Sequence, residues 1–236
     1  MLIFLDVETT GLGESDTLVS LGLLNATTKE YRYALVNEGK KIPPEASSIH
    51  HITKEMIVEK PSFLASEIYE YLQAHNKHEN ILIAHHSLFD VQKLADAGLL
   101  WQGKVIDTLR VSKHLIPECE QFSLQFLRYE LQLYKQEAAL KQKYGIKDAL
   151  FAHHALGDAL VCHLLFDYLG EMADVQELVE LSSKHVLLEK LHFGKYKGRY
   201  IEEIVQVDRA YLAWMLQSLP DLDEDLRYSI EYNLEG

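Results

Sequence analysis

Two carboxylates stand two positions apart near the N-terminus, Asp6 and Glu8, directly after the apolar run 2–5. An apolar run bounded by a glycine turn, here at 9–11, is typical of a buried strand, on which side chains two apart share a face. Two carboxylates on such a face repel each other and lose hydration, which is costly unless a cation lies between them. The alternative is that Glu8 lies past the end of the strand, in solvent.

Three later sites carry further groups of the same kind. Asp90 begins a helix after the apolar strand 80–84, where its carboxylate would also suit the helix dipole. Asp107 most simply caps the helix that follows it. His153 and Asp158 are five positions apart, about 140° around the axis of a helix, so they need not bind one ion. One of them can hold a metal while the other reaches toward a water molecule.

The carboxylates of Asp6, Glu8, Asp90 and Asp158 fit a two-metal site. Two divalent ions roughly 3.5–4 Å apart can activate a water and stabilise the leaving oxygen when a phosphodiester is displaced. Hard oxygen ligands without cysteine favour Mg²⁺ or Mn²⁺ over Zn²⁺. His153 is the candidate general base, because imidazole titrates near neutrality.

These sites resemble the motifs of the DEDD superfamily of 3′–5′ exonucleases, in the branch with a histidine base. Order, spacing and residue type agree in three motifs, from residue 1 to about residue 170. The matching segments are Phe4-Leu-Asp-Val-Glu-Thr-Thr-Gly-Leu12, His85-His-Ser-Leu-Phe-Asp90 and His153-His-Ala-Leu-Gly-Asp-Ala159, with weaker matches at Val105-Ile-Asp-Thr-Leu109 and Ile49-His-His-Ile-Thr53. The resemblance implies that His153 is the base, that the metal ligands are Asp6, Glu8, Asp90 and Asp158, and that the fold is ribonuclease H-like.

The same resemblance implies contacts with the end of the substrate. The backbone near Thr9 would contact the 3′ end, Leu12 would pack on the terminal base, and Phe89 could contact the substrate. Ordinary core packing is the alternative for Leu12 and Phe89. His86 stands where this branch often has asparagine and could alter contacts with the terminal nucleotide, and His51 stands where glycine is usual.

The elements that must position these residues predict an α/β fold, with a mixed sheet flanked by helices. The resemblance implies in addition that the first strand lies at the centre of this sheet. The first three strands are expected to form an antiparallel unit, whereas the lysine-rich segment 134–148 is expected to be a solvated loop. The predicted strands are 17–25, 30–36, 80–84 and 104–107 after the first, and the predicted helices are 63–76, 87–94, 108–114, 123–131 and 149–172, with a short helical or irregular segment at 46–57.

Three segments are expected: an exonuclease domain at 1–172, a helical connector at 173–188 and a small α+β module at 189–236. The last segment resembles the C-terminal domain of exodeoxyribonuclease X-like proteins, through Phe193-Gly-Lys-Tyr-Lys-Gly198 and Tyr211-Leu-Ala-Trp-Met-Leu216. Its lysines, Lys195 and Lys197 among them, are interleaved with aromatic residues, which suits phosphate pairing and base stacking. A solvated turn is the alternative for this patch.

Composition limits the partners and the compartment. The 236 residues carry a formal net charge of −13, which is unsuited to coating a polyanion but compatible with metal-assisted cleavage of nucleic acid. Cys119 and Cys162 form neither a disulfide framework nor a metal spacing, and no signal peptide or membrane-spanning run is found. A cytoplasmic protein is therefore expected.

The leading hypothesis is a metal-dependent exonuclease that removes nucleoside 5′-monophosphates from 3′ ends, of DNA rather than RNA. A ribonuclease or a proofreading-type subunit of the same fold is the nearer alternative. A nucleic-acid-binding protein that has lost catalysis is the alternative from another class. All five expected catalytic positions are filled in this sequence, which favours an enzyme.

Overall fold

The computed structural model describes residues 1–148 and 150–235. Its chain divides into two compact units, Met1–Ser182 and Ser183–Gly236. The first unit is built on one five-stranded sheet, and the second is largely helical.

The sheet of the first unit is mixed, with the first strand in the middle. Its strands are β1 (Leu2–Thr9), β2 (Leu18–Asn25), β3 (Glu30–Leu35), β4 (Ile81–Ala84) and β5 (Lys104–Asp107), in the order β3-β2-β1-β4-β5. β1 pairs antiparallel with β2 and parallel with β4, and β2 pairs antiparallel with β3. The predicted three-stranded antiparallel unit and the mixed sheet are confirmed.

Helices cover both faces of this sheet. They are α1 (Pro44–His50), α2 (Lys54–Ile57), α3 (Glu67–His75), α4 (Ser87–Asp96), α5 (Thr108–Leu115), α6 (Leu124–Glu130), α7 (Glu137–Tyr144), α8 (Ala155–Leu169) and α9 (Val175–Ser183), with 3₁₀ turns at Phe63–Ala65 and Leu133–Lys135. Strand alternation on β1 sends Phe4 into the core beneath α8, and Ile3 and Leu5 into a second core on the opposite face. Asp6 and Glu8 follow Phe4 at two-residue spacing, so they belong to the α8 face.

A glycine lets α8 approach the sheet closely. Gly22 of β2 is paired with Asp6 of β1. A Cβ atom at Gly22 would lie 2.1 Å from the backbone nitrogen of Leu156, in the first turn of α8. The N-terminal end of α8, which carries Asp158, is therefore seated directly on the strand beside β1.

Two sequence expectations for this region are wrong. The lysine-rich segment 134–148 is not a solvated loop, because it contains α7, whose Leu140 and Tyr144 are buried in the core one helical turn apart. The long helix begins at Ala155 and not at 149, and residue 149 itself lies outside the described residues. His153 consequently precedes the helix, so the angle of about 140° expected between His153 and Asp158 does not apply.

The segment expected to connect the two parts, 173–188, is helical only over α9. Leu178 of α9 is buried in the core of the first unit, so this helix packs as part of that unit. The connector is therefore not a free-standing spacer over 173–182.

The second unit has its own apolar core. It contains α10 (Ile201–Ser218) and α11 (Glu224–Glu235), which pack through eight buried residues: Leu191, Ile201, Ile204, Leu212, Met215, Leu222, Leu226 and Ile230. Its β character is limited to a single antiparallel bridge between Lys190 and Tyr200, within the described part of the unit. α10 is kinked at Asp208, whose side chain accepts a hydrogen bond from the backbone N–H of Tyr211 and caps the second half of the helix.

Candidate metal-dependent active site

Asp6 and Glu8 project from the central strand into a cluster of acidic groups. Asp6 is only partly accessible, and its Oδ2 atom is buried without a hydrogen-bond partner among the described residues. Glu8 is half-buried within β1 and does not lie past its end, so the solvent alternative for Glu8 is wrong. An irregularity of the β1–β2 pairing follows at once, between Glu8 and Thr9, where the strand leaves the sheet.

Asp90 reaches the cluster from the first turn of α4. Its side chain is buried, and Oδ1 accepts a hydrogen bond of 3.1 Å from the backbone N–H of Val7, between the two β1 carboxylates. Asp107 fixes the turn before α4 by accepting hydrogen bonds from the backbone N–H groups of His86 and Ser87 at 3.0 and 3.2 Å. Asp107 also caps α5 as predicted, since it accepts a bond of 2.9 Å from the N–H of Leu109.

Asp158 and His153 complete the cluster from the start of α8. Oδ2 of Asp158 accepts a 2.9 Å hydrogen bond from the backbone N–H of His153, and Oδ1 accepts one of 2.6 Å from Nε2 of Gln125. Ligand atoms of Glu8, His153 and Asp158 all lie within 4.8 Å of one another. The residues that were predicted from three separate motifs are thus brought together at the C-terminal end of β1, in the middle of the sheet. We call Asp6, Glu8, Asp90 and Asp158 the acid cluster.

Burial raises the pKa of every member of the acid cluster, and repulsion from other members adds to the effect at Asp6 and Glu8. Burial raises the pKa of Glu8 to about 8, and the charges of Asp158 and Asp90 add to the effect. Burial likewise raises the pKa of Asp158 to about 6. The pKa values of Asp6 and Asp90 are raised well above the ordinary value, first by burial, and at Asp6 also by the neighbouring carboxylates. Four such groups in one place are unfavourable without a compensating positive charge.

The donor set therefore fits divalent metal. The oxygen atom of Asp6 that has no partner, the three ligand atoms within 4.8 Å, and the purely oxygen and imidazole chemistry are what a hard divalent ion requires. A buried carboxylate oxygen without a partner is costly. Packing or hydrogen bonding within the protein therefore does not account for this arrangement, whereas a bound cation does.

Three of the residues predicted to meet the substrate line one groove, and Phe89 among them directly precedes Asp90 of the acid cluster. Leu12, His86 and Phe89 face a groove of about 620 Å³ that Gln92 and Lys93 also line. Leu12 is 86% exposed, so the core-packing alternative for Leu12 is wrong, whereas Phe89 both lines the groove and packs on the core below it.

The turn that carries Leu12 is held in place by a lysine that the sequence did not single out. Lys93 is buried, and its Nζ donates hydrogen bonds to the backbone carbonyls of Gly13 and Asp16 at 2.6 and 2.9 Å. The carboxylate of Asp16 accepts from Thr10 Oγ1 and Gly13 N–H, at 2.8 Å each. Thr9 is buried at the start of this turn, and its hydroxyl donates to the carbonyl of Gly11. A lysine amid polar residues on a helix gives no sequence signal for this role.

Gln125 was also missed. It is hydrogen-bonded to Asp158 on one side and through its Oε1 to Arg128 at 3.1 Å on the other. Arg128 makes two hydrogen bonds to Glu137 of α7, the helix that was expected to be a loop. The sequence lacks a motif for this chain of contacts because its members come from separate helices.

The two departures from the family motifs lie at backbone positions of one kind. His51 and His86 have φ values of 61° and 69°, in the left-handed region. Glycine and asparagine are the residues that adopt this region most readily, which accounts for their usual presence there. His86 is exposed at the rim of the groove, so its ring remains available to a substrate.

The basic residues of the second unit differ in their contacts. Lys195 pairs with Asp208 at 2.8 Å, and Lys190 lies 4.4 Å from the centre of the Tyr200 ring. Arg199 pairs with Glu203. Lys197 is exposed and, within the described residues, makes no ion pair or ring contact. Lys195 therefore has a structural role at the kink of α10, which the sequence did not reveal.

Comparisons with known proteins agree with this geometry. An open mixed sheet that gathers four carboxylates and a histidine beside a groove defines a metal-dependent nuclease with a ribonuclease H-like fold. The chain belongs to the exonuclease family, whose sequence profile, described as Exonuclease, matches residues 3–166. A second profile, described as Exodeoxyribonuclease X-like C-terminal, matches residues 191–219. The predictions of the family, the fold and an exonuclease activity are confirmed.

Individual relatives cover the chain to different extents. Exodeoxyribonuclease 10 of Escherichia coli (strain K12) is 25% identical over 240 residues, which span all of both chains. The epsilon subunit of DNA polymerase III from Treponema pallidum (strain Nichols) is 32% identical over 172 residues, 68% of this chain and 72% of that one.

Among the described residues, no helix has the length and apolar character needed to cross a membrane.

Solved structures share the fold. Exonuclease X in complex with 5′-overhanging duplex DNA has a TM-score of 0.61 and 23% identity, over 78% of this chain and 100% of that one. Escherichia coli exonuclease I in complex with a dA16 oligonucleotide has a TM-score of 0.51 and 16% identity, over 76% of this chain and 42% of that one.

Proposed function

We propose that the protein is a 3′–5′ exonuclease that removes nucleoside 5′-monophosphates from DNA. The observation that carries the proposal is the convergence of Glu8, His153 and Asp158 within 4.8 Å, beside the buried carboxylates of Asp6 and Asp90. DNA as the polymer is supported by the relative from Escherichia coli, an exodeoxyribonuclease by name, because it matches both units of the chain.

The metal ligands are proposed to be Asp6, Glu8, Asp90 and Asp158, with two Mg²⁺ or Mn²⁺ ions as the cofactor. When bound, the ions would lower the pKa of an attacking water and balance the charge that develops on the phosphate. Their positive charge also offsets the cost of burying these carboxylates and the repulsion between them, which together raise the pKa values of Asp6 and Glu8.

His153 is proposed to act as the general base. Its exposed imidazole accepts the proton of the water while the water oxygen bonds to phosphorus and the bond from phosphorus to O3′ of the preceding nucleotide breaks. Asp158 orients the turn that carries His153 by accepting its backbone N–H. Leu12, His86 and Phe89, with the backbone near Thr9, are proposed to hold the terminal nucleotide in the groove of about 620 Å³.

The second unit is proposed to help hold nucleic acid, chiefly through Lys197, with Lys195 in a supporting role at the turn. Lys195 is already paired with Asp208, so its contribution to phosphate binding is smaller than its position alone suggests. We propose that Met1–Ser182 carries out catalysis and that Ser183–Gly236, which follows it in the chain, binds nucleic acid.

End-labelled single-stranded DNA and RNA, incubated with Mg²⁺ or Mn²⁺, test the proposal. Shortening of DNA from its 3′ end to mononucleotides is expected, and Asp6→Ala, His153→Ala or chelation should each abolish it. Lys113→Ala, a substitution away from the acid cluster, serves as the control. If neither polymer is shortened, and Asp6→Ala and His153→Ala match the parent, the proposal of an enzyme fails. Preferential RNA shortening would assign it to the ribonucleases.

A further inference from the structure

The turn that carries His153 is unfavourable by itself. His153 has a φ of 59°, in the left-handed region that a residue with a side chain adopts only when its surroundings hold it there. Its imidazole is exposed, and none of the described residues hydrogen-bonds it. The direction of the ring is therefore set by the backbone of the turn, not by a partner of the ring itself.

Contacts on the next residue anchor this turn to the sheet. The ring of His154 stacks on that of Tyr33, with 4.4 Å between centroids and 24° between planes. The ring of Phe151 meets the edge of His154 at 5.1 Å. The carbonyl of His154 accepts a 2.9 Å hydrogen bond from the N–H of Asp158, and its side chain, which makes no capping bond to α8, is held by these ring contacts.

Tyr33 links the turn to the strands that bear the acid cluster. Tyr33 of β3 is paired with Gly22 of β2, and Gly22 is paired with Asp6 of β1. The stack thus stands in the same row across the sheet as Asp6, over the glycine on which the start of α8 rests. A displacement of His154 would shift His153 relative to that row.

We propose that Tyr33 and His154 are positioning residues, which hold the imidazole of His153 toward the acid cluster by stacking on each other. The inference rests on the proposed function for the role of His153 as a base. The inference adds that Tyr33 and His154 must each keep an aromatic ring for His153 to be positioned. The shared property is the flat face, so phenylalanine should serve at either position.

Ring-keeping and ring-removing variants test this inference with a matched pair at each position. We expect Tyr33→Phe and His154→Phe to stay within about twofold of the parent in kcat. Tyr33→Ala and His154→Ala should lower kcat by about 10- to 100-fold with little change in KM, because small displacements of a catalytic group are costly. The double alanine variant should be no more impaired than His154→Ala alone, since that substitution already removes the stack. Tyr31→Ala, on the same strand, has no ring contact with His154 among the described residues and controls for general destabilisation.

A second readout does not depend on activity. Lys147 is exposed in the segment before the turn, so the rate of tryptic cleavage after Lys147 in metal-free protein reports how firmly the turn is held. Both alanine variants should be cleaved several times faster than the parent, and both phenylalanine variants at the parental rate. If Tyr33→Ala does not fold, the His154 pair decides alone.

Unchanged cleavage rates, or an unchanged kcat in both alanine variants, would overturn the inference. A higher KM at parental kcat would also overturn it and would assign the rings to contacts with bases of the substrate. If the parent degrades no DNA, the proposed function fails, while the proteolysis still decides whether the stack holds the turn.

Discussion

The acid cluster couples the stability of the protein to pH and to metal. The pKa of Glu8 is about 8 in the folded protein against an ordinary 4.5, chiefly through burial, and that of Asp158 is about 6 against 3.8. A carboxyl with a raised pKa favours the folded state most below its ordinary pKa, and this contribution is lost as pH rises through the folded value. The protein therefore loses the contribution of Glu8 between pH 4.5 and about pH 8, and that of Asp158 between pH 3.8 and about pH 6.

Metal-free protein should therefore lose stability between pH 6.5 and pH 8. The slope approaches about 1.4 kcal/mol per pH unit for each proton that only the folded state retains. Urea unfolding at both pH values measures it, and millimolar Mg²⁺ should flatten the dependence by replacing the protons. Glu8→Gln should flatten it as well. Equal stabilities of the metal-free parent at the two pH values would refute the coupling.

His163 has the opposite pH dependence. Its ring is buried on α8, stacked on Phe4 with 4.1 Å between centroids, and burial lowers the pKa of the imidazole to about 4. A histidine with a lowered pKa charges only on unfolding, so its contribution to stability is lost as pH falls from 6.5 toward 4.

The variant His163→Phe should remove this dependence. Between pH 7.5 and pH 5 the parent should lose about 2 kcal/mol more of its free energy of unfolding than the variant does. The carboxylates are common to both proteins and cancel in the comparison. His78→Phe, at an exposed position, is the control and should track the parent. Parallel pH profiles for the parent and His163→Phe would contradict the prediction.

At the scale of elements, the meeting of α8 with the sheet decides the geometry of the site. Gly22→Ala would place a methyl group 2.1 Å from the backbone nitrogen of Leu156. Because backbone cannot rotate away, we expect a loss of stability of about 3 kcal/mol and a fall in activity as Asp158 moves from β1. Gly170→Ala, at the other end of α8, meets its nearest atom at 3.2 Å and should change little. Thermal unfolding of the two variants gives the comparison, and equal midpoints would show that α8 can shift freely.

The sequence anticipates this arrangement in part. Alternation along β1 places Asp6 and Glu8 on one face because a strand has a fixed two-residue period. It does not reveal that His153 precedes α8 in a left-handed turn, since only a small minority of residues other than glycine adopt that conformation, histidines included. The position of this turn depends on its contacts with β2 and β3, through Gly22 and Tyr33, and these strands are far from the turn in sequence.

The helix α7 shows a different limit. Its lysines and glutamine dominate the composition of 134–148, so the segment resembles a solvated loop. Leu140 and Tyr144 are four positions apart and both buried, which is the spacing that would have identified the helix. A single pair of large apolar residues at helical spacing does not outweigh the polar ones without knowledge of the core that receives the pair.

At the scale of the whole molecule, a net charge of −13 means that attraction to DNA cannot come from the average surface. Binding must rely on local groups, and these differ in how free they are. Lys195 contributes a hydrogen bond to the Asp208 carboxylate, which also accepts from the hydroxyl of Tyr196 at 2.9 Å. Lys197 is exposed and is the stronger candidate for a phosphate contact.

Separate substitutions of Lys195 and Lys197 should distinguish a role in binding nucleic acid from a role in the structure of the second unit. Lys197→Ala should weaken binding to long single-stranded DNA. The slope of log K against log salt should become shallower, by about 0.7 for each phosphate that the variant no longer neutralises. The kcat on a short oligonucleotide should be unchanged. Lys195→Ala should act mainly through the turn, and lower the thermal stability of the second unit. Lys184→Ala, at the start of the same unit, is a charge-matched control. Affinity and salt slope measured in chelator, without turnover, decide the matter. If Lys197→Ala keeps the parental slope, the second unit does not contact phosphate through this residue, and the proposed grip must lie elsewhere on the chain.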